Sequence, residues 1–126
     1  CGTSMACPVV AGGAALVKQY FEDGYYPTGS PVASNGFIPS GALLRAVLAN
    51  SAVDMTGISG YLGNQEGYGR ILLDNALYLS GDSRRNYVAD VHHANGLSTG
   101  DNKYFSFYLP AGRSELRLTL AFSDDK

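Results

Sequence analysis

The stretch Gly2-Thr3-Ser4-Met5-Ala6-Cys7-Pro8-Val9-Val10-Ala11-Gly12-Gly13 decides how the rest of the chain is read. A serine enters from a glycine-containing approach and starts an Ala- and Val-rich run reaching about Tyr20. Small residues on every side of that run predict a helix from Ser4 to about Tyr20, buried all round. Its N-terminus would offer backbone N–H groups without helical acceptors and the positive end of a dipole. An alkoxide or tetrahedral oxyanion forming at Ser4 would be stabilised by both. Gly2 leaves room for a substrate backbone, and Pro8 falls in the early turns, where a missing N–H costs least. Ser4 is thus a candidate nucleophile. Its competing structural reading is a helix N-cap, a position that Ser favours.

Working outward, Asp23-Gly24 reads as the helix stop, and Pro27, Gly29, Pro31, Asn35 and Gly36 make 25–39 a loop. Ser40 can cap a second helix whose Leu43, Leu44, Val47 and Leu48 share one face. Glycines between Gly57 and Gly69 predict a turn-rich connector, and Asp74 to Leu79 a short third helix. Residues 1–80 hold eight of the twenty charged side chains, and the last 46 residues hold twelve. With the stretch from Ser80 to Arg85, that shift places a boundary between 1–82 and 83–126. Beyond it the period becomes two. Tyr104, Ser106 and Tyr108 alternate with Phe105, Phe107 and Leu109, and Leu116, Leu118, Leu120 and Phe122 alternate with Arg117, Thr119 and Ala121. Around a turn at Pro110-Ala111-Gly112, this predicts an antiparallel hairpin belonging to an incomplete β-sandwich.

Composition narrows the function classes. Nine Lys and Arg against eleven Asp and Glu give a net charge of −2, which argues against a nucleic-acid grip. Ala6–Val17 is too short to cross a bilayer, which takes about 20 apolar residues. Cys1 and Cys7 form no disulfide framework, and Cys7 is expected to pack as a small buried hydrophobe.

The run Gly2-Thr3-Ser4-Met5-Ala6-Cys7-Pro8-Val9-Val10-Ala11-Gly12 resembles the nucleophile motif of subtilisin-like serine proteases, the subtilases. Leu43 to Ala52 looks like that family's following helix, and Gly67 to Leu77 like its closing glycine turn and short helix. Tyr104 to Asp125 is similar to the start of a jelly-roll β-sandwich appended in one subtilase branch. The resemblance implies an α/β subtilisin-like catalytic domain, of which residues 1–82 supply the C-terminal helices, followed by the first strands of a β-sandwich in 83–126. It implies a serine endopeptidase that hydrolyses peptide bonds of a polypeptide substrate through an acyl-enzyme on Ser4. The triad Asp and His, and the rest of the catalytic domain, are expected upstream of Cys1. The 126 residues alone are expected to be inactive. The resemblance also implies a secreted or extracytoplasmic location, no organic cofactor, and structural calcium as an option. Met5, next to the nucleophile, would be partly exposed and oxidisable.

Two other functions fit parts of the sequence. An α/β-hydrolase-type esterase would run Ser4, then Asp54 or Asp74, then His92 or His93. Ala6 stands where its nucleophile elbow wants glycine, and helices followed by antiparallel strands are the wrong order for that fold. A non-catalytic subtilase-like binding protein would lack the upstream Asp or His. His92 and His93, adjacent in sequence, read as solvent-facing loop residues, since on a strand they would point to opposite faces. Asp101, Asp124 and Asp125 have the oxygen chemistry for calcium but no EF-hand spacing, and read as solvated turn carboxylates. Arg84-Arg85 reads as an exposed pair. No residue is assigned as a metal or cofactor ligand.

Overall fold

A computed structural model describes residues 2–55, 57, 62–112 and 115–123. Two α-helices organise it: α1, Thr3–Glu22, and α2, Gly41–Ser51. Three 3-10 turns follow the chain at Ala33–Asn35, Leu73–Asn75 and His93–Asn95. No helix among the described residues is long and apolar enough to cross a membrane.

The C-terminal half of α1 builds the core. Val17, Tyr20 and Phe21 recur at helical spacing and pack against Leu43 and Val47 of α2, with Phe37, Leu48, Leu73 and Leu77 closing around them. Gly13 marks where α1 meets α2 and the connector, since a Cβ there would lie 3.6 Å from Leu48 Cδ2 of α2 and 2.9 Å from Ile71 Cδ1. The rings of Phe21 and Phe37 sit 5.1 Å apart in a tilted pair.

The stop of α1 is a Schellman motif. Tyr25 N–H donates to the Tyr20 carbonyl at 3.1 Å, and Gly24 N–H donates to the Phe21 carbonyl at 3.1 Å. The accompanying apolar contact is the stacking of Tyr25 on Tyr20, with ring centroids 5.5 Å apart. Gly24 has φ +72°, and a Cβ there would lie 2.0 Å from the Val32 carbonyl oxygen, so only glycine fits. Ser40 caps α2 as its sequence predicts, its Oγ accepting from Leu43 N–H at 3.0 Å.

Tyr20 also ties the core to the following segment, its hydroxyl donating to the Tyr78 carbonyl at 2.7 Å. Burial pushes the phenol above its ordinary pKa of 10.0, opposed in part by a hydrogen bond with Asn86.

The glycine-rich connector loops back so that Val53 and Arg70 exchange two N–H···O bonds of 2.9 Å in an isolated antiparallel bridge. Thr56 and residues 58–61 of that connector lie outside the described residues.

Several expectations are corrected. The helix predicted over 74–79 is only the 3-10 turn Leu73–Asn75, after which the chain runs on without helix. The incomplete antiparallel β-sandwich, with its first strands in 83–126, is not formed: no strand or sheet exists among the described residues. A turn does sit at 111–112, where Gly112 has φ +87°, but 104–109 and 115–123 do not pair across it. Alternation fixes which side chains share a face; a ladder also needs a partner strand in register, which no local pattern supplies. Instead, the apolar side of the second run is exposed, with Leu118 at 70% and Leu120 at 86%, and its polar side meets α2. The first run keeps its alternation differently. Phe105 and Phe107 pack edge-on to Tyr87, at 6.3 and 5.4 Å, while Tyr104 and Tyr108 face out.

Nor is α1 buried all round. Residues 2–12 are exposed, and burial begins at Gly13 because α2 and Ile71 reach the helix only from there. Cys7, expected to be buried, lies on this exposed half.

Candidate functional site

Ser4 stands in the first turn of α1, as its second residue, and is exposed. The N-cap is Gly2, which brings no side-chain cap and has helical dihedrals of φ −69° and ψ −33°. Its carbonyl starts the helix by accepting from Met5 and Ala6 N–H at 3.1 and 2.9 Å. Ser4 is therefore not the N-cap that its structural reading required. No acidic side chain occupies the first turn, so nothing in the helix's own sequence offsets its positive end. A Cβ added at Gly2 would meet nothing within 4 Å, which leaves the approach to Ser4 open on that side.

The residues around Ser4 follow from helical spacing. Cys7 and Pro8, three and four positions on, share its face and are exposed. Met5 is 73% exposed and Val9 64%, so the surface beside Ser4 is apolar. Pro8 is the sixth residue of α1, beyond the first turn where its missing N–H would be free of cost. In the i→i−4 pattern the N–H it lacks is the one directed at the Ser4 carbonyl.

The other sequence candidates sit on separate elements. Asp74 is exposed in the 3-10 turn Leu73–Asn75, and Asp54 is exposed beside the Val53–Arg70 bridge. His92 and His93 are exposed, and His92 Nδ1 accepts from Ala94 N–H at 3.3 Å as the cap of the last 3-10 turn. Asp101 accepts from Ser98 N–H at 2.8 Å within a turn. Asp124 and Asp125 lie outside the described residues. No group of His, Cys, Asp or Glu that could hold a metal ion occurs among the described residues. Arg84 and Arg85 are less free than an exposed pair suggests. Arg84 donates to Asn75 Oδ1, and the Arg85 guanidinium lies 4.4 Å above the centre of the Tyr78 ring.

Residues 1–74, which carry α1, α2 and the serine motif, match the subtilase family, peptidase S8. This chain belongs to the subtilase family. It is similar to three proteins of Dictyostelium discoideum named serine protease/ABC transporter B family proteins. The match to tagA is 29% identical over 126 residues, covering 98% of this chain, and that to tagB 28% over 136 residues, covering 84%. The match to tagD is 48% identical over 56 residues, or 44% of this chain. The subtilase chain spans 3–7% of the length of these relatives. No solved structure matches it. The family membership favours the subtilase reading of Ser4 over the α/β-hydrolase one.

What sequence reasoning missed lies around α2. Asp90, Arg117 and Asn75 all bond its ends, and none carries a local signal, since their partners lie 50, 65 to 67 and 24 positions away. The hint lay in α2 itself, which has no acidic residue in its first turn and no basic residue in its last.

Proposed function

We propose that this chain is part of a serine endopeptidase in which Ser4 is the nucleophile. The observation that carries the reading is an exposed serine in the first turn of an apolar helix, inside a run that resembles the subtilase nucleophile motif and within the residues that match the family. The relatives' names point the same way in their serine protease half. Their transporter half has no counterpart motif here, since these 126 residues contain no Gly-Lys-Ser/Thr phosphate loop.

In this mechanism the Ser4 hydroxyl attacks the scissile carbonyl of a polypeptide while a histidine takes its proton. The tetrahedral oxyanion collapses as that proton passes to the leaving amine. Water then attacks the acyl-enzyme by the same route, which frees the acid product and restores Ser4. Ser4's own amide supplies part of the oxyanion stabilisation in this reading, and the positive end of α1 adds to it. Gly2 admits the substrate backbone. In this reading the histidine and its orienting aspartate precede Ser4 in sequence, in the order Asp, His, Ser that the subtilase resemblance implies.

A fluorophosphonate probe on the full-length protein tests this. Labelling at Ser4 that disappears in Ser4→Ala is expected. A folded protein that takes no label overturns the assignment and favours a non-catalytic binding protein.

A further inference from the structure

The segment that follows the family-matched residues performs a definite task on α2. A capping box pairs a Ser N-cap with a Glu or Gln at N3, whose side chain returns to the N-cap N–H. In α2 the N-cap is Ser40 and N3 is Leu43, which cannot return that bond. Asp90 supplies it from 50 residues away. Its Oδ2 accepts from Ser40 N–H at 2.7 Å and its Oδ1 from the Ser40 hydroxyl at 2.6 Å. The carboxylate thereby stands at the positive end of α2.

The other end is completed in the opposite charge. A helix leaves its last four carbonyls to outside donors. In α2 the Leu48 carbonyl accepts from the Ser51 hydroxyl at 2.8 Å, and that of Ala49 accepts from Ala52 N–H at 3.3 Å. Asn75 Nδ2 donates to the Ser51 carbonyl at 3.5 Å. Arg117 Nη1 donates to the Asn50 carbonyl at 3.5 Å and to that of Ala52, just past the helix, at 3.2 Å. The Arg117 guanidinium, whose Nε is paired with the Glu115 carboxylate, thus turns its Nη1 to the negative end. Between the ends, Asn50 Nδ2 donates to Thr119 Oγ1 at 2.9 Å and Arg45 Nη2 to Ser123 Oγ at 2.9 Å.

We infer that residues 83–112 and 115–123 act as an intramolecular clasp on α2, with Asp90 and Arg117 supplying the end groups that the helix lacks. Docking of this segment holds both ends of α2 closed, and α2 is the element against which Val17 and Phe21 of α1 pack. The inference does not depend on Ser4 being a nucleophile.

Native-state hydrogen exchange of the full-length protein tests it. In Asp90→Ala and in Arg117→Ala, amides of 41–51 should exchange about two- to fivefold faster, while those of 14–21 stay unchanged. Raising salt to about 1 M should speed 41–51 in the unaltered protein too, because the Debye length falls to about 3 Å. Exchange of 41–51 at the original rate in both variants overturns the clasp. Should a variant loosen 14–21 to the same degree, the salt series on the unaltered protein decides: a rate for 41–51 that does not change with salt also overturns it.

Discussion

The two halves of α1 do different work. From Gly13 to Glu22 the helix is a structural element: Val17 and Phe21 are fully buried, and a Schellman motif fixes its end. From Thr3 to Gly12 it is exposed, has no side-chain cap and carries a proline, yet it holds the serine of the family motif. The second half stabilises the helix, so the first half can present Ser4 without contributing to the core. A rigid element anchored at one end is a sound platform for a site at the other.

Substitutions should separate the halves cleanly. The largest effect is expected in Ser4→Ala, which should lower peptidase activity of the full-length protein by about 10⁴-fold or more. Its stability should stay within about 0.5 kcal/mol, read from the denaturant midpoint. Equal losses in both quantities would break the division. In the anchored half, Phe21→Ala should cost about 3–5 kcal/mol through the cavity it leaves, seen as faster exchange of 14–21. Next comes Gly24→Ala, expected to cost more than about 1 kcal/mol, because φ +72° and the Val32 carbonyl at 2.0 Å both oppose a Cβ. A variant as stable as the parent would show that the Schellman stop is dispensable.

Tyr20 sharpens the comparison by pH. Its folded pKa is raised above 10.0, chiefly by burial, so the folded state holds the phenolic proton more tightly than the unfolded state. That contribution is fully present below pH 10.0 and is lost as pH rises through the raised value. An alkaline titration of stability should therefore fall in that window, and Tyr20→Phe should flatten it. The smallest effect concerns Met5, at 73% exposure: peroxide should convert it to the sulfoxide and partly slow turnover without moving the denaturant midpoint. Peptide mapping that finds Met5 intact in a slowed sample removes it from this role.

The legible parts of the chain share one property, that their signals are local. The helix read from Ser4 to about Tyr20 runs from Thr3 to Glu22, and Ser40 caps α2 through an atom three residues away. Asp23-Gly24 ends α1 because the conformation needed at that step suits glycine alone. The reading failed where a partner had to be found at a distance. Period-two alternation in 104–109 and 116–122 was sound as a statement about faces, but no strand pairing follows from it. The third helix failed because one favourable turn at Leu73–Asn75 is not enough to nucleate more.

By itself, then, the sequence determined the two helices, the glycine stop of α1, the Ser40 cap of α2 and a chain that matches the subtilase family. The helices, the stop and the cap are each settled within a few residues by backbone geometry and side-chain spacing. Only the tertiary structure decided that one face of α1 is buried, and only from Gly13 onward, and that Asp90 and Arg117 close the two ends of α2. Those outcomes depend on which distant groups the folded chain brings within about 3 Å of one another, and hydrogen bonds at that range leave no periodicity to read.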